Sequence, residues 1–200
     1  MNQILYIPLN RTKKFLFKLQ FFVSIFVIFG LILYTSFHIL SLSKQEKLSK
    51  QLASNYSISR LYNNNSEGEV TTIESNLFGI IEIPKIDVYY PVFSHLSEGL
   101  LKIAPCKFNG NSPKENGNIC IAGHNYNNNL FFSNLSNLEA GDEIFLYDND
   151  GEKYIYNVFS IYEVNSTDLS PVLEKSQNEK ILTLITCNNL NDKRIVVKAK

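Results

Sequence analysis

Few side chains in the C-terminal part of this chain are of types that act as nucleophile, proton carrier or oxyanion donor. Residues 76–200 hold three cysteines, two histidines and one arginine, against ten lysines. Cys187 ends the apolar run Ile181-Leu182-Thr183-Leu184-Ile185-Thr186 and precedes the polar segment 188–192. A strand end is where a side chain leaves the core and meets solvent. A thiol there is a candidate nucleophile, but at an ordinary pKa of about 8.5 it is only a few per cent thiolate at neutral pH and needs activation. His124 follows Gly123 at the exit of the run Asn118-Ile119-Cys120-Ile121-Ala122, where a glycine allows the backbone to turn and present an imidazole. Arg194 comes seven residues after Cys187. Its planar fork of donors suits an oxyanion or a peptide carbonyl, a task for which lysine is a poor substitute. Thr186 and Asn188, on either side of Cys187, are candidate substrate-binding groups. Each residue also has a plainer reading: a small apolar cysteine closing a strand, a turn histidine bonded to carbonyls, a chance arginine.

The remaining candidates are weaker. Cys120 lies inside an apolar run and Cys106 follows Ala104-Pro105, so both suit burial, although a Cys106–Cys120 disulfide is left open in an extracellular setting. His95 stands just before a helix start, with Ser97 as cap and Glu98 in the first turn. Asp148-Asn149-Asp150-Gly151 reads as a hairpin turn, its glycine two positions too early for an EF-hand loop. Asp142, Glu143, Asp168 and Glu174 are carboxylates that spacing alone does not bring together, so no metal ligands are assigned, and calcium is a possibility without support.

The elements that must position these residues are short and β-rich. Strands are expected at 78–83, 88–93, 118–123, 142–147, 153–164, 180–187 and 194–199, all rich in Ile, Val, Tyr and Phe. Short helices are expected at 97–103, at 130–138 and within 168–177. Seven or eight strands in this length predict an all-β barrel or sandwich with short helices.

The N-terminal part is different in kind. Residues 21–40 carry no formal charge and, as a helix rising about 1.5 Å per residue, span about 30 Å, the thickness of a bilayer's hydrocarbon core. Arg11, Lys13, Lys14 and Lys18 precede it, and positive charge stays inside. The expected organisation is therefore a cytoplasmic basic segment at 1–20, a transmembrane signal-anchor helix at 21–42, an extracellular helix and linker at 43–75, and a compact domain at 76–200. A cleaved signal peptide with Ser41-Leu42-Ser43 as the cut site is the rival, disfavoured because the apolar run is long. The chain carries 19 basic and 19 acidic residues, yet from residue 43 onward 15 basic face 19 acidic ones. That balance excludes a dominant nucleic-acid footprint. Three cysteines without paired spacing exclude a disulfide framework and a four-thiolate zinc site.

Taken together, Gly123-His124, the segment 130–144, Thr183-Leu184-Ile185-Thr186-Cys187 and Arg194-Ile195-Val196-Val197 resemble the sortases, membrane-anchored cysteine transpeptidases of Gram-positive bacteria. The resemblance covers residues 77–200. It implies a closed eight-stranded β-barrel, with Cys187 as nucleophile, His124 as general acid/base and Arg194 as the group that holds substrate and stabilises the oxyanion. It further implies cleavage of an LPXTG-like sorting signal between Thr and Gly, and transfer of the acyl group to an amine of a peptidoglycan precursor or of a pilin. By position, 163–179 is the family's specificity loop. No cofactor is implied. The chain has no tryptophan, hence no Asp-Pro-Trp lid, which disfavours the lidded pilin-polymerising class. A purely hydrolytic cysteine protease and a non-catalytic surface domain are the alternatives. An L,D-transpeptidase is disfavoured because His124 and Cys187 are far apart in sequence.

Overall fold

The structure is a computed structural model describing residues 11–62, 76–126 and 129–200. The expected linker at 63–75 and residues 1–10 of the basic segment lie outside the described residues. Two compact units result, Met1–Lys44 and Gln45–Lys200.

The first unit holds most of α1 (Arg11–Tyr62). Phe15 to Leu40 present large apolar side chains that are exposed all round, as the lack of any polar stripe requires. By length and composition this is one helix apolar enough to cross a membrane.

The second unit is a closed barrel of eight strands. They are β1 (Leu77–Ile83), β2 (Val88–Phe93), β3 (Cys106–Asn109), β4 (Gly117–Ala122), β5 (Glu143–Tyr147), β6 (Lys153–Asn165), β7 (Lys180–Asn188) and β8 (Lys193–Ala199). Around the barrel the order is β1-β2-β3-β4-β7-β8-β6-β5. Closure leaves no sheet edge to protect. All pairs are antiparallel except β2 with β3 and β4 with β7. The parallel β4–β7 pair needs a long crossover, and β5 and β6 supply it.

The seven expected strands match within a residue or two, and β3 is the addition. It is short and polar, and it forms because Cys106 and Lys107 find partners at Ala122 and Ile121 of β4. Of the expected helices, 97–103 becomes α2 (Glu98–Leu101), capped by the Ser97 hydroxyl, which accepts from Leu100 N–H at 3.2 Å. The segment within 168–177 becomes α3 (Ser170–Leu173). The stretch 130–138 is helical only as a 3-10 turn at Leu135–Asn137, because Phe131 and Phe132 are instead drawn into the core.

Side-chain alternation divides β4, β7 and β8 into two faces. Ile119, Ile121, Leu182, Leu184, Val197 and Ala199 are buried on the face that fills the barrel. The other face carries Asn118, Cys120 and Ala122 of β4, then Thr183, Ile185 and Cys187 of β7, then Lys198, Val196 and Arg194 of β8, aligned by strand register. Val172 of α3 packs on the middle of that face, with Cys120, Ile185 and Val196.

The compact unit begins earlier than residue 76. Leu52 and Ala53 of α1 are buried, and Leu52 belongs to a cluster with Leu77, Ile80, Phe93, Ala104 and Cys106, against which Leu100 and Leu101 of α2 pack. The C-terminal part of α1 is therefore part of the barrel's hydrophobic structure.

Candidate active site

Register places the three candidate residues together. In the parallel β4–β7 pair Ala122 stands opposite Ile185, and Gly123 N–H donates to the Ile185 carbonyl at 3.1 Å. His124 and Cys187 each lie two residues further on, so both emerge at the same end and on the same face. In the antiparallel β7–β8 pair Cys187 stands directly opposite Arg194, and directly opposed side chains share a face. All three line one cleft of about 180 Å³, whose other walls are Leu96, Leu101, Phe108, Ala122, Gly123, Ile185 and Thr186. Cys187 is exposed, while His124 and Arg194 are half-buried.

The loop bearing His124 is held by the segment 130–133. Asn125 bridges Phe131, Phe132 N–H donates to the His124 carbonyl at 3.1 Å, and Tyr126 N–H donates to the Ser133 hydroxyl at 3.0 Å. The Ser133 hydroxyl in turn donates to the Leu130 carbonyl at 2.7 Å. Phe131 adopts a left-handed backbone (φ 51°), a conformation costing about 1–2 kcal/mol for such a residue, and is held there by burial and by the Tyr90 ring at 5.0 Å. Gly123 is needed for close approach: a Cβ there would sit 2.6 Å from the Phe132 ring. The turn that the sequence suggests for this glycine is not the reason.

His124 Nε2 is buried and has no hydrogen-bond partner among the described residues, so this nitrogen is uncommitted. The ring lies 4.9 Å from the Tyr126 ring, centroid to centroid. Burial pushes the imidazole below the usual histidine range, Lys102 adds to this, and Glu98 opposes it. The other two thiols are shielded. Burial pushes Cys106 up to about 11 and Cys120 to about 12, and both are free rather than joined in a disulfide. Asn109, not Cys106, stands opposite Cys120 in the β3–β4 register.

The two candidate substrate-binding residues are placed differently. Thr186 borders the cleft, but its buried hydroxyl donates to the Gly123 carbonyl at 2.8 Å, which ties β7 to the His124 loop rather than facing a ligand. Asn188 is not brought to the cleft. It lines a separate groove with Glu163 and Leu190, its amide donates to Glu163, and its carbonyl oxygen accepts from Leu190 N–H at 3.0 Å. Asn188 follows Cys187 at the end of β7, where alternation turns its side chain to the opposite face. Asn125, which the sequence does not single out, instead touches the backbone of Cys187: its amide donates to the Cys187 carbonyl at 2.9 Å. Asn189 closes the loop pair by donating to the Asn125 carbonyl at 2.8 Å.

Three of the four loop carboxylates considered for calcium are engaged separately. Asp142 accepts from Glu139 N–H, Asp168 accepts from Ser170 N–H, and Glu174 pairs with Lys198. Among the described residues no group of three or more His, Cys, Asp or Glu could hold a metal ion.

This arrangement has known counterparts. The family model for the sortase domain matches residues 81–200. Sortase A of Bacillus anthracis is 34% identical over 127 residues, covering 62% of this chain and 59% of that protein. Sortase A of Staphylococcus aureus is 33% identical over 129 residues, covering 60% and 59% respectively. The chain thus spans 59% of the length of each of these curated relatives. Among solved structures, a Clostridium perfringens Sortase D5 transpeptidase shares the fold with a TM-score of 0.60 at 28% identity, over 79% of this chain and 98% of that one. Listeria monocytogenes sortase A gives a TM-score of 0.56 at 26% identity, over 62% and 86%. The match over 81–200, together with the shared barrel, means that the chain belongs to the sortase family.

Proposed function

We propose that this protein is a membrane-anchored cysteine transpeptidase acting on an LPXTG-like sorting signal. The observation that carries the reading is the register of three adjacent strands, which sets His124, Cys187 and Arg194 around one cleft. Cys187 passes its thiol proton to His124, and the resulting thiolate attacks the Thr carbonyl carbon of the Thr-Gly bond. Negative charge develops on the carbonyl oxygen, and the Arg194 guanidinium donates to it. The C–N bond breaks as the His124 imidazolium gives its proton to the departing Gly amine. The resulting thioester is attacked by an amine of a peptidoglycan precursor or of a pilin, His124 takes that amine's proton, and the thiolate leaves. The apolar walls Leu96, Leu101, Phe108 and Ile185 suit a donor peptide with apolar residues ahead of the cleaved bond. The exposed apolar surface of α1 supports a single membrane pass, and the cations at 11–18 support a cytoplasmic N-terminus with the barrel outside.

The test is mass spectrometry of the full chain in detergent micelles with an LPXTG-type peptide library and a free amine, beside Cys187→Ala. An amine-ligated product absent from the variant is expected. Cleavage with water as the acceptor under every amine tried would replace the transpeptidase with a protease. An equal yield from Cys187→Ala would remove the nucleophile from the mechanism.

A further inference from the structure

The chemistry at Cys187 makes no use of the buried ammonium of Lys198. Lys198 on β8 is 4% exposed, an unusual place for an ammonium, since such a group is kept in a fold only when paired. Its partner is Glu174, which follows α3 on the β6–β7 loop and is half exposed.

The same short helix is held from the other strands. Four residues cannot sustain a helix alone, and its terminal carbonyls need donors. Asn118 of β4, itself buried, donates to the Pro171 carbonyl at 2.9 Å and to the Glu174 carbonyl at 3.2 Å. The Thr183 hydroxyl of β7 donates to the Asn118 side-chain oxygen at 2.7 Å, which fixes the amide's orientation. Asn109 of β3 donates to the Val172 carbonyl at 2.9 Å. Three strands thus reach one turn of helix directly and β7 does so through Asn118, and the ion pair is the only link among these that involves full charges.

This network and the catalytic cleft lie at opposite ends of one sheet face. Asn118, Thr183 and Lys198 sit at one end, and Cys187 and Arg194 at the other. Between them Val172 packs with Cys120, Ile185 and Val196, with Phe108 and Ala122 alongside. Phe108, Ala122 and Ile185 are also walls of the cleft. A shift of α3 therefore changes the packing on three side chains that also wall the cleft, whereas Cys187 and Arg194 are outside the Val172 cluster.

We infer that Lys198 and Glu174 form a latch that holds the β6–β7 loop in its peptide-accepting position, which makes Lys198 a positioning residue for the donor rather than for the thiol chemistry. The inference rests on the donor-peptide reading above for its kinetic part alone. Glu174→Gln and Lys198→Met, singly and together, test it in the full chain in detergent micelles. In Glu174→Gln, hydrogen exchange of amides 170–174 rises by about tenfold, in keeping with loss of a charge-assisted bond. The iodoacetamide alkylation rate of Cys187 stays within about twofold of wild type, because β7–β8 pairing is untouched. The double variant adds nothing to the single ones in loop exchange, as residues of one pair should behave. With a processed LPXTG-type peptide, KM rises several-fold at unchanged kcat.

Unchanged exchange at 170–174 in Glu174→Gln overturns the latch. So does a fall in kcat with KM unmoved, or a Cys187 alkylation rate that changes along with loop exchange. Glu174 is on the solvent side, so its variant folds even if the buried substitution does not. The exchange and alkylation measurements need no sorting peptide, and a failure of the proposed activity leaves them able to decide.

Discussion

The side-chain amide of Asn125 donates to the backbone carbonyl of Cys187 at 2.9 Å, joining the residue after the histidine to the candidate nucleophile across two loops. Asn189 returns the link by donating to the Asn125 carbonyl at 2.8 Å. The distance between imidazole and thiol is thereby set by loop-to-loop bonds as well as by the β4–β7 ladder. Asn125→Asp keeps the shape and removes the donor. Transpeptidation should fall by about tenfold to a hundredfold, the scale of sub-ångström misplacement of reacting groups, with a stability loss of only about 1 kcal/mol. Turnover against melting temperature by near-ultraviolet circular dichroism checks this. Wild-type turnover in Asn125→Asp would leave the ladder as the sole determinant of the geometry.

The three thiols should differ sharply in reactivity. Cys187 is exposed, while burial holds Cys106 near 11 and Cys120 near 12. Iodoacetamide at pH 8 in the folded chain should label Cys187 alone, and all three after denaturation. Peptide mapping reads the result, and early labelling of Cys120 would mean that the face beneath α3 opens readily.

His124 should make folding weaker in acid. Burial lowers its folded-state pKa below the ordinary value of about 6.5, so the unfolded chain binds the proton more strongly. Its contribution to stability is complete above about pH 6.5 and is lost as pH falls through the interval down to the lowered folded-state value. His124→Gln removes this dependence. Melting temperatures at pH 7.5 and 5.5 should therefore differ less in the variant than in wild type, and an equal difference would refute the buried neutral imidazole.

The C-terminal part of α1 should contribute to barrel stability. Leu52 is 8% exposed and shares a cluster with Leu77, Ile80 and Phe93. Leu52→Ala should cost about 2 kcal/mol, the low end for a buried leucine because the site is at the edge of the core. Thermal melting of the full chain measures it, and an unchanged midpoint would mean that the helix merely lies against the barrel.

Residue type and local periodicity are enough to point to the class of fold, the apolar anchor helix and the three side chains with chemistry to offer. Strands such as Lys180–Asn188 and Lys153–Asn165 announce themselves because β-branched and aromatic runs are a local property. Cys106–Asn109 does not, since a four-residue polar strand exists only through the neighbour it pairs with. Segment 130–138 misleads for the related reason that Phe131 and Phe132 gain more from burial than from helix.

Within the site, His124, Cys187 and Arg194 are legible as types, but their convergence is not. It depends on Ala122 standing opposite Ile185 and Cys187 opposite Arg194, and register is decided by which faces find a core. The same non-local accounting turns Asn188 away from the cleft and brings Asn125 to the Cys187 carbonyl. It also sets Lys198 beneath the β6–β7 loop, where a lysine in the sequence looks like any surface charge. A side chain's chemistry belongs to the residue, whereas its partners and its desolvation are properties of the folded chain.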